Sequence, residues 1–184
     1  MPFVVVYDAC VLYPNTQRDL LIRVAQAGLV QAKWTWRILD EMKGALQKRR
    51  PDITGEKLDR LCRLMVNAVA DCVVEDYEGL ADGLKLPDDR DRHVIAAAKQ
   101  AGAQVIVTSN LKDFPADELA KLNLEAKSPD DFVLDQIDVD DRRLWACMQE
   151  IANSRSNPPQ DVEDVMDELE NSGLIESMAR FRSS

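Results

Sequence analysis

The sequence predicts an α/β domain on a central, mainly parallel sheet flanked by helices, followed by a helical extension at its C-terminal end. Short runs of β-branched and aromatic residues read as strands buried on both faces. Helical periodicities alternate with them, as a parallel sheet requires. After about residue 127 the strand signals stop and helical patterns take over.

The first strand is expected over residues 3–7, FVVVY, which ends abruptly at Asp8. The run QVIVTS at 104–109 is a second, and CVVE at 72–75 and LEAK at 124–127 are shorter candidates. Leu20, Leu21, Val24 and Ala25 share one face of a helix over 17–27 that stops at Gly28, a residue suited to the turn after a helix. Thr35 is placed to cap a helix over 36–49 with Ile38, Leu39, Met42 and Leu46 inward, and Pro51 ends it. Thr54 is placed to cap the next, which carries Leu58, Leu61, Cys62, Met65, Val66 and Val69. Residues 90–101 run from aspartates through an alanine-rich helix to Gly102. Ser128 and Pro129 open a further helix with a serine cap and proline in the first turn, continued over 139–154. A connector, RSNPPQ, leads to a last helix that ends at Gly173. The expected division is a domain over 1–135 and a helical extension over 136–184.

Composition narrows the class. Of 184 residues 46% are apolar, enough for a core, yet no apolar run is long enough to span a bilayer. The opening MPFVVVYDAC has no basic leader and no long apolar stretch, so it is expected to belong to the first element rather than to a secretory signal. Four cysteines form no CxxC pair and the single histidine is His93, which argues against a zinc knuckle and for reduced thiols in the cytoplasm. The net charge of −10 does not suit a protein that coats nucleic acid without specificity. Net charge hides distribution, however: basic residues gather between Arg18 and Arg50, and acids dominate from Asp130 onward.

Four places carry hard oxygen donors. Asp8 follows a buried strand, and ligands of open parallel sheets bind beyond the carboxyl ends of strands. Thr108, Ser109, Asn110 and Asp113 emerge at the equivalent end of the second strong strand; such donors suit Mg2+ or Mn2+, although a turn that caps the next helix would use them too. Asp88, Asp89 and Asp91 enter the alanine-rich helix, where carboxylates complement its dipole; three within four positions exceed what a cap needs. Glu41 lies beside the apolar stripe of its helix, where a glutamate is also at home as a salt-bridged or snorkelling residue.

Together, VYDACVLYP, ILDEM, DRDRHVIAAA and VIVTSNLKDFP resemble, in order and spacing, the PIN domain family, and in particular its VapC-type toxins. The resemblance covers roughly residues 3–135, and NPPQDVEDVMDELENSGL looks like the helical C-terminal extension of a subgroup. It implies a PIN-like three-layer fold and a metal-dependent endoribonuclease, the toxin of a type II toxin–antitoxin pair. Asp8, Glu41, Asp91 and Asp113 match the four family carboxylates that are catalytic and hold Mg2+ or Mn2+, with Thr108, Asn110 and Asp88 in support. One departure stands out. The subgroup often carries an aspartate where this chain has Arg90, so an auxiliary carboxylate is lost unless Asp88 or Asp89 replaces it.

The implied substrate is RNA, with folded RNA such as tRNA favoured, its phosphates held by Arg18, Lys43, Lys48, Arg49 and Arg50. The implied protein partners are a cognate antitoxin and a second copy of the chain; no membrane is involved. His93 lies about 200° around the helix from Asp91 and is expected to be structural. Trp34 and Trp36 are the obvious stacking aromatics, at least one of them expected in the core. The competing readings are a catalytically silent PIN-fold module that binds RNA or protein, and an α/β phosphatase.

Overall fold

In the computed structural model, which describes residues 2–84 and 86–183, the strands are β1 (Phe3–Tyr7), β2 (Val30–Lys33), β3 (Val105–Val107) and β4 (Glu125–Lys127). The helices of the first part are α1 (Ala9–Leu12), α2 (Asn15–Gln26), α3 (Trp36–Arg49), α4 (Gly55–Ala68), α5 (Arg92–Ala101) and α6 (Ala116–Ala120). Those of the tail are α7 (Pro129–Ser154), α8 (Val162–Asn171) and α9 (Ile175–Arg182). The four strands form one sheet in the order β2-β1-β3-β4, and every neighbouring pair is parallel.

Val5, Val6 and Tyr7 are all buried. Successive strand residues point to opposite faces, so the sheet is covered on both sides, the three-layer arrangement expected from the continuous apolar run. Tyr7 anchors the centre: its ring stacks at 6.4 Å on Trp34 and meets Phe132 edge-on at 5.9 Å, and its hydroxyl donates to the Leu21 carbonyl at 2.9 Å. Trp34 is therefore the core tryptophan, whereas Trp36, 47% exposed, stays at the surface.

Two expectations need correction. Residues 72–75 do not form a strand; Val73 makes only an isolated parallel bridge to Trp34. The strand beside β1 is instead Val30–Lys33, whose sequence VQAK contains a single β-branched residue and is held by pairing with Phe3–Val6 rather than by propensity. The helices are better placed. Thr35 caps α3 as expected, its buried hydroxyl accepting from the Ile38 amide at 3.0 Å. Thr35→Ala should cost about 1 kcal/mol, as helix-cap removals do, and lower the melting temperature by about 2–4 °C in a chain of this size. A thermal melt checks it; an unchanged midpoint would mean that the cap is redundant.

The tail is built onto the same core. Leu144, Met148, Val165, Leu169 and Met178 belong to the hydrophobic cluster that begins in the sheet. Polar contacts lock the docking: Glu168 on α8 accepts from Thr16 on α2, and Arg155 reaches Thr16 and Asp19 at 3.3 and 3.5 Å. Asp130 caps α9 by accepting from the amides of Glu176 and Ser177, both at 2.9 Å. α7 runs through residue 135 without a break there; its non-helical residue is Asp140.

Candidate active site

The sheet order makes the location of a site foreseeable. From β1 the chain moves to one side to form β2 and later returns to the other side as β3, so a crevice opens between the carboxyl ends of β1 and β3. Asp8 follows β1 and Thr108 follows β3, and the Asp8 amide donates to the Val107 carbonyl at 3.0 Å. A cavity of about 580 Å³ lies here, lined by Asp8, Glu41, Asp91 and Asn110, with Cys10, Tyr13, Lys48 and Arg49 beside them.

Asp8 is 5% exposed. Its Oδ1 accepts from the Ala9 amide at 2.8 Å, which makes it the cap of α1, and its Oδ2 accepts from the Thr108 hydroxyl at 2.9 Å. Thr108 is itself fixed by the Asn110 amide, which donates to Oγ1 at 3.1 Å. Burial raises the Asp8 carboxyl above its ordinary range; the hydrogen bonds from Thr108 and Ala9 work against this, and the Glu41 charge adds to it.

Asp91 ends a 3-10 turn over Asp89–Asp91 and enters α5 without a capping hydrogen bond of its own. Its carboxyl is pushed up to about 6, first by burial and then by the charges of Asp8, Asp113, Asp88 and Glu41. Asp8, Glu41 and Asp113 thus all stand within electrostatic reach of Asp91. Asp113, in the turn Leu111–Asp113, contributes its charge without lining the cavity.

Glu41 comes from the middle of α3 and is 41% exposed at its side chain. His93 is buried, with Nε2 2.7 Å from Glu41 Oε1, yet neither ring nitrogen has an aligned hydrogen-bond partner. His93, expected to be structural, thus packs in close contact with Glu41. Among the described residues, no group of three or more acidic, histidine or cysteine side chains stands ready as it is to hold a metal ion. The donor types nevertheless fit a hard divalent cation: carboxylates with a neighbouring amide, crowded enough to lift the proton affinity of Asp91.

The supporting residues divide. Thr108 and Asn110 are at the site, but Asp88 is not in the lining. Arg90 folds back onto Asp88, its Nη2 donating at 2.8 Å, and Arg92 pairs with Asp89 at 2.9 Å. Neither aspartate is thus turned to the cavity to replace the acid that Arg90 displaces.

The basic set also divides. Arg18 is corrected: it is 8% exposed, and its guanidinium donates to the carbonyls of Leu12 and Tyr13 and to the Asn15 side chain, bracing the turn between α1 and α2. Lys43 is paired with Asp59 at 2.7 Å and Arg50 with Asp52 at 2.9 Å. Lys48 and Arg49 share the cavity with the carboxylates. The sequence reading missed Cys10 and Tyr13. Cys10 Sγ lies 3.5 Å from both Asp8 Oδ2 and Thr108 Oγ1, and the Arg49 guanidinium sits 5.8 Å from the Tyr13 ring centre. Their positions two and five residues after Asp8 are the signal that could have found them, since the turn after a catalytic-type strand commonly lines its crevice.

Among the described residues no helix is long and apolar enough to cross a membrane. Residues 4–112 match the family model described as the PIN domain, and residues 129–183 match that of the VapC50 C-terminal domain. The chain is 41% identical over 80 residues to a Mycobacterium tuberculosis (strain ATCC 25618 / H37Rv) protein named "Putative ribonuclease VapC50". That alignment spans 44% of this chain and 47% of the relative, so about half of the curated relative's length is matched. No solved structure matches. The crevice after β1 and β3 falls within the stretch matched by the PIN model, the helical tail matches the VapC50 C-terminal model, and the chain belongs to the PIN domain family, in its VapC-type group.

Proposed function

We propose that this chain is a divalent-metal-dependent endoribonuclease, the toxin of a toxin–antitoxin pair, which hydrolyses RNA phosphodiesters, tRNA among them, in the cytoplasm. The observation that carries the reading is the single cavity at the ends of β1 and β3 in which three carboxylates, Asp8, Glu41 and Asp91, face two cations, Lys48 and Arg49. The name of the Mycobacterium tuberculosis relative supports the same reaction class.

Asp8, Asp91 and Glu41 would hold Mg2+ or Mn2+, with Asp113 completing the cluster through its charge. A cation held there would activate water at neutral pH and stabilise charge developing on the phosphoryl oxygens. The chain's own residues do the remaining work. Thr108 and the Ala9 amide fix the Asp8 carboxylate so that it does not have to reorganise. Lys48 and Arg49 hold the phosphate groups beside the carboxylates, where phosphate contacts set register without reading sequence. Asn110 offers a neutral donor and acceptor at the edge of the cleft. The helices of residues 136–184 are the extension of the nuclease domain; an antitoxin would block the cleft, and a second copy of the chain is a further proposed partner.

The test is to incubate the purified chain with total RNA in Mn2+ or in EDTA and to read the product ends. The expected result is cleavage only with Mn2+, leaving 5′-phosphate and 3′-hydroxyl ends. Cleavage in EDTA with cyclic phosphate ends would overturn the metal mechanism. RNA binding without cleavage would favour the silent module, and hydrolysis of an aryl phosphate with intact RNA would favour the phosphatase.

A further inference from the structure

A second cavity, of about 870 Å³, adjoins the carboxylate cleft, and Tyr13 and Arg49 line both. It is among the larger sizes for ligand pockets, which run to about 1,000 Å³. One wall is formed by the end of α3 and the start of α4, the other by α8 of the C-terminal extension. Its charge runs against that of the molecule. The chain carries a net charge of −10, yet the lining holds Arg18, Arg49, Arg50 and Lys57 against the one carboxylate of Glu168. Glu168 is engaged by Thr16 and by Gln160, which donates at 2.5 Å. Arg18 is spent on backbone carbonyls and Arg50 is paired with Asp52, which leaves Arg49 and Lys57 to meet a phosphate. Leu46, Ile53 and Leu61 supply apolar surface between them. On the extension side Asn171 and Ser172, at the end of α8, stand about one turn beyond the Glu168 carboxylate.

A groove with Arg49 and Lys57 on one wall, a single hydrogen-bonded carboxylate on the other, an apolar floor and continuity with the proposed phosphodiester-cutting cleft matches a single nucleic-acid strand: cations for the backbone, apolar surface for sugars and bases. Resting on the ribonuclease reading, we infer that the RNA strand flanking the cut bond leaves the cleft over Tyr13 and Arg49 and lies in this groove, so that α8 of the C-terminal extension forms part of the substrate site. The extension then has a use beyond packing, and substrate length, rather than the cleavage step alone, becomes dependent on it.

The experiment measures binding of fluorescent single-stranded RNA, in EDTA, to the full chain carrying Asp8→Asn, so that turnover is suppressed. A trinucleotide fills the cleft only; a long oligomer also enters the groove. Three substitutions are compared at exposed positions: Lys57→Gln on α4, and Asn171→Glu and Asn171→Arg on α8. Asn171→Glu should weaken the long oligomer about fivefold relative to the trinucleotide, the effect of one close charge in water, and Asn171→Arg should tighten it by a similar factor. Lys57→Gln should lower the salt slope for the long oligomer by about 0.7, the value for one lost phosphate contact on a single strand. The opposite effects of the two Asn171 variants exclude simple misfolding as their cause. If neither changes the ratio of long to short affinity while the parent chain still cleaves RNA with Mn2+, the groove is not a strand site and the nuclease reading stands. If the parent chain neither binds nor cleaves RNA, both fall. If the substitutions release a bound antitoxin and leave the long oligomer unaffected, the groove docks protein and the inference is overturned.

Discussion

Asp8→Asn should lower metal-dependent RNA cleavage by about two to three orders of magnitude and leave the fold intact. The size follows from what the carboxylate supports: a bound cation contributes several kcal/mol of stabilisation to the transition state, and each 1.4 kcal/mol is about tenfold in rate. The fold should survive because asparagine is isosteric, caps helices as well as aspartate does, and keeps an oxygen to accept from Ala9 or Thr108. It also removes a buried carboxylate whose ionisation burial opposes. Single-turnover cleavage in Mn2+ with a melting curve beside it is the measurement. Full activity in the variant would remove Asp8 from the chemistry. A loss of activity accompanied by a lower melting point would show instead that the residue is structural.

The second large effect concerns pH. Asp91 is pushed up to about 6 by burial and by the surrounding carboxylates, against about 3.9 in an unfolded chain. Because the folded carboxyl holds its proton more tightly than the unfolded one, ionising it costs stability. The cost is absent below about pH 4, grows between about 4 and about 6, and is complete above about 6. In EDTA, Asp91→Asn should therefore raise the melting temperature at neutral pH and leave it unchanged near pH 4. Asp91 is partly exposed, so solvent screening holds the gain to about 1 kcal/mol or less, roughly 2–4 °C. The same carboxyl must lose its proton to hold a cation. Affinity for Mn2+ should thus fall about tenfold per pH unit below about 6, since one proton is displaced for each ion bound. A pH-independent affinity, or a lower melting point for Asp91→Asn in EDTA, would contradict the crowding described for this cavity.

Much of the frame was legible because local chemistry and tertiary structure agree. FVVVY ending at Asp8, the Thr35 and Ser128 caps and the Gly102 stop each state their structure within a few residues, and each is found. Gly102 sits at φ 66°, a left-handed turn that glycine adopts without strain. β2 was not legible, because VQAK becomes a strand only through its pairing with β1. α9 was missed for a related reason: its start is capped from a distance by Asp130 on α7 rather than by its own sequence.

The site was legible to the extent that strand ends and the order of motifs specify it. Asp8, Glu41, Asp91 and Asn110 do meet in one cavity. What the sequence could not express was the pairing of side chains across the chain. Arg18 looks like a free surface cation until the carbonyls of Leu12 and Tyr13 are seen to take it up. Asp88 looks like a spare ligand until Arg90 closes on it. Tyr13 and Arg49, far apart in sequence, make the sill between two cavities only once α1 and α3 are packed together.

The proposed divalent cation belongs in the acidic crevice between β1 and β3. The most direct test is to titrate Mn2+ into the purified chain and into Asp8→Asn, following heat of binding and melting temperature together. The account predicts one saturable binding event in the parent chain. At a hundredfold excess over the dissociation constant it should add about 2.7 kcal/mol, or roughly 5–10 °C in the melting temperature, with most of that gain lost in Asp8→Asn. A parent chain whose melting curve is unmoved by Mn2+ or Mg2+, or a gain of equal size in both proteins, would contradict it.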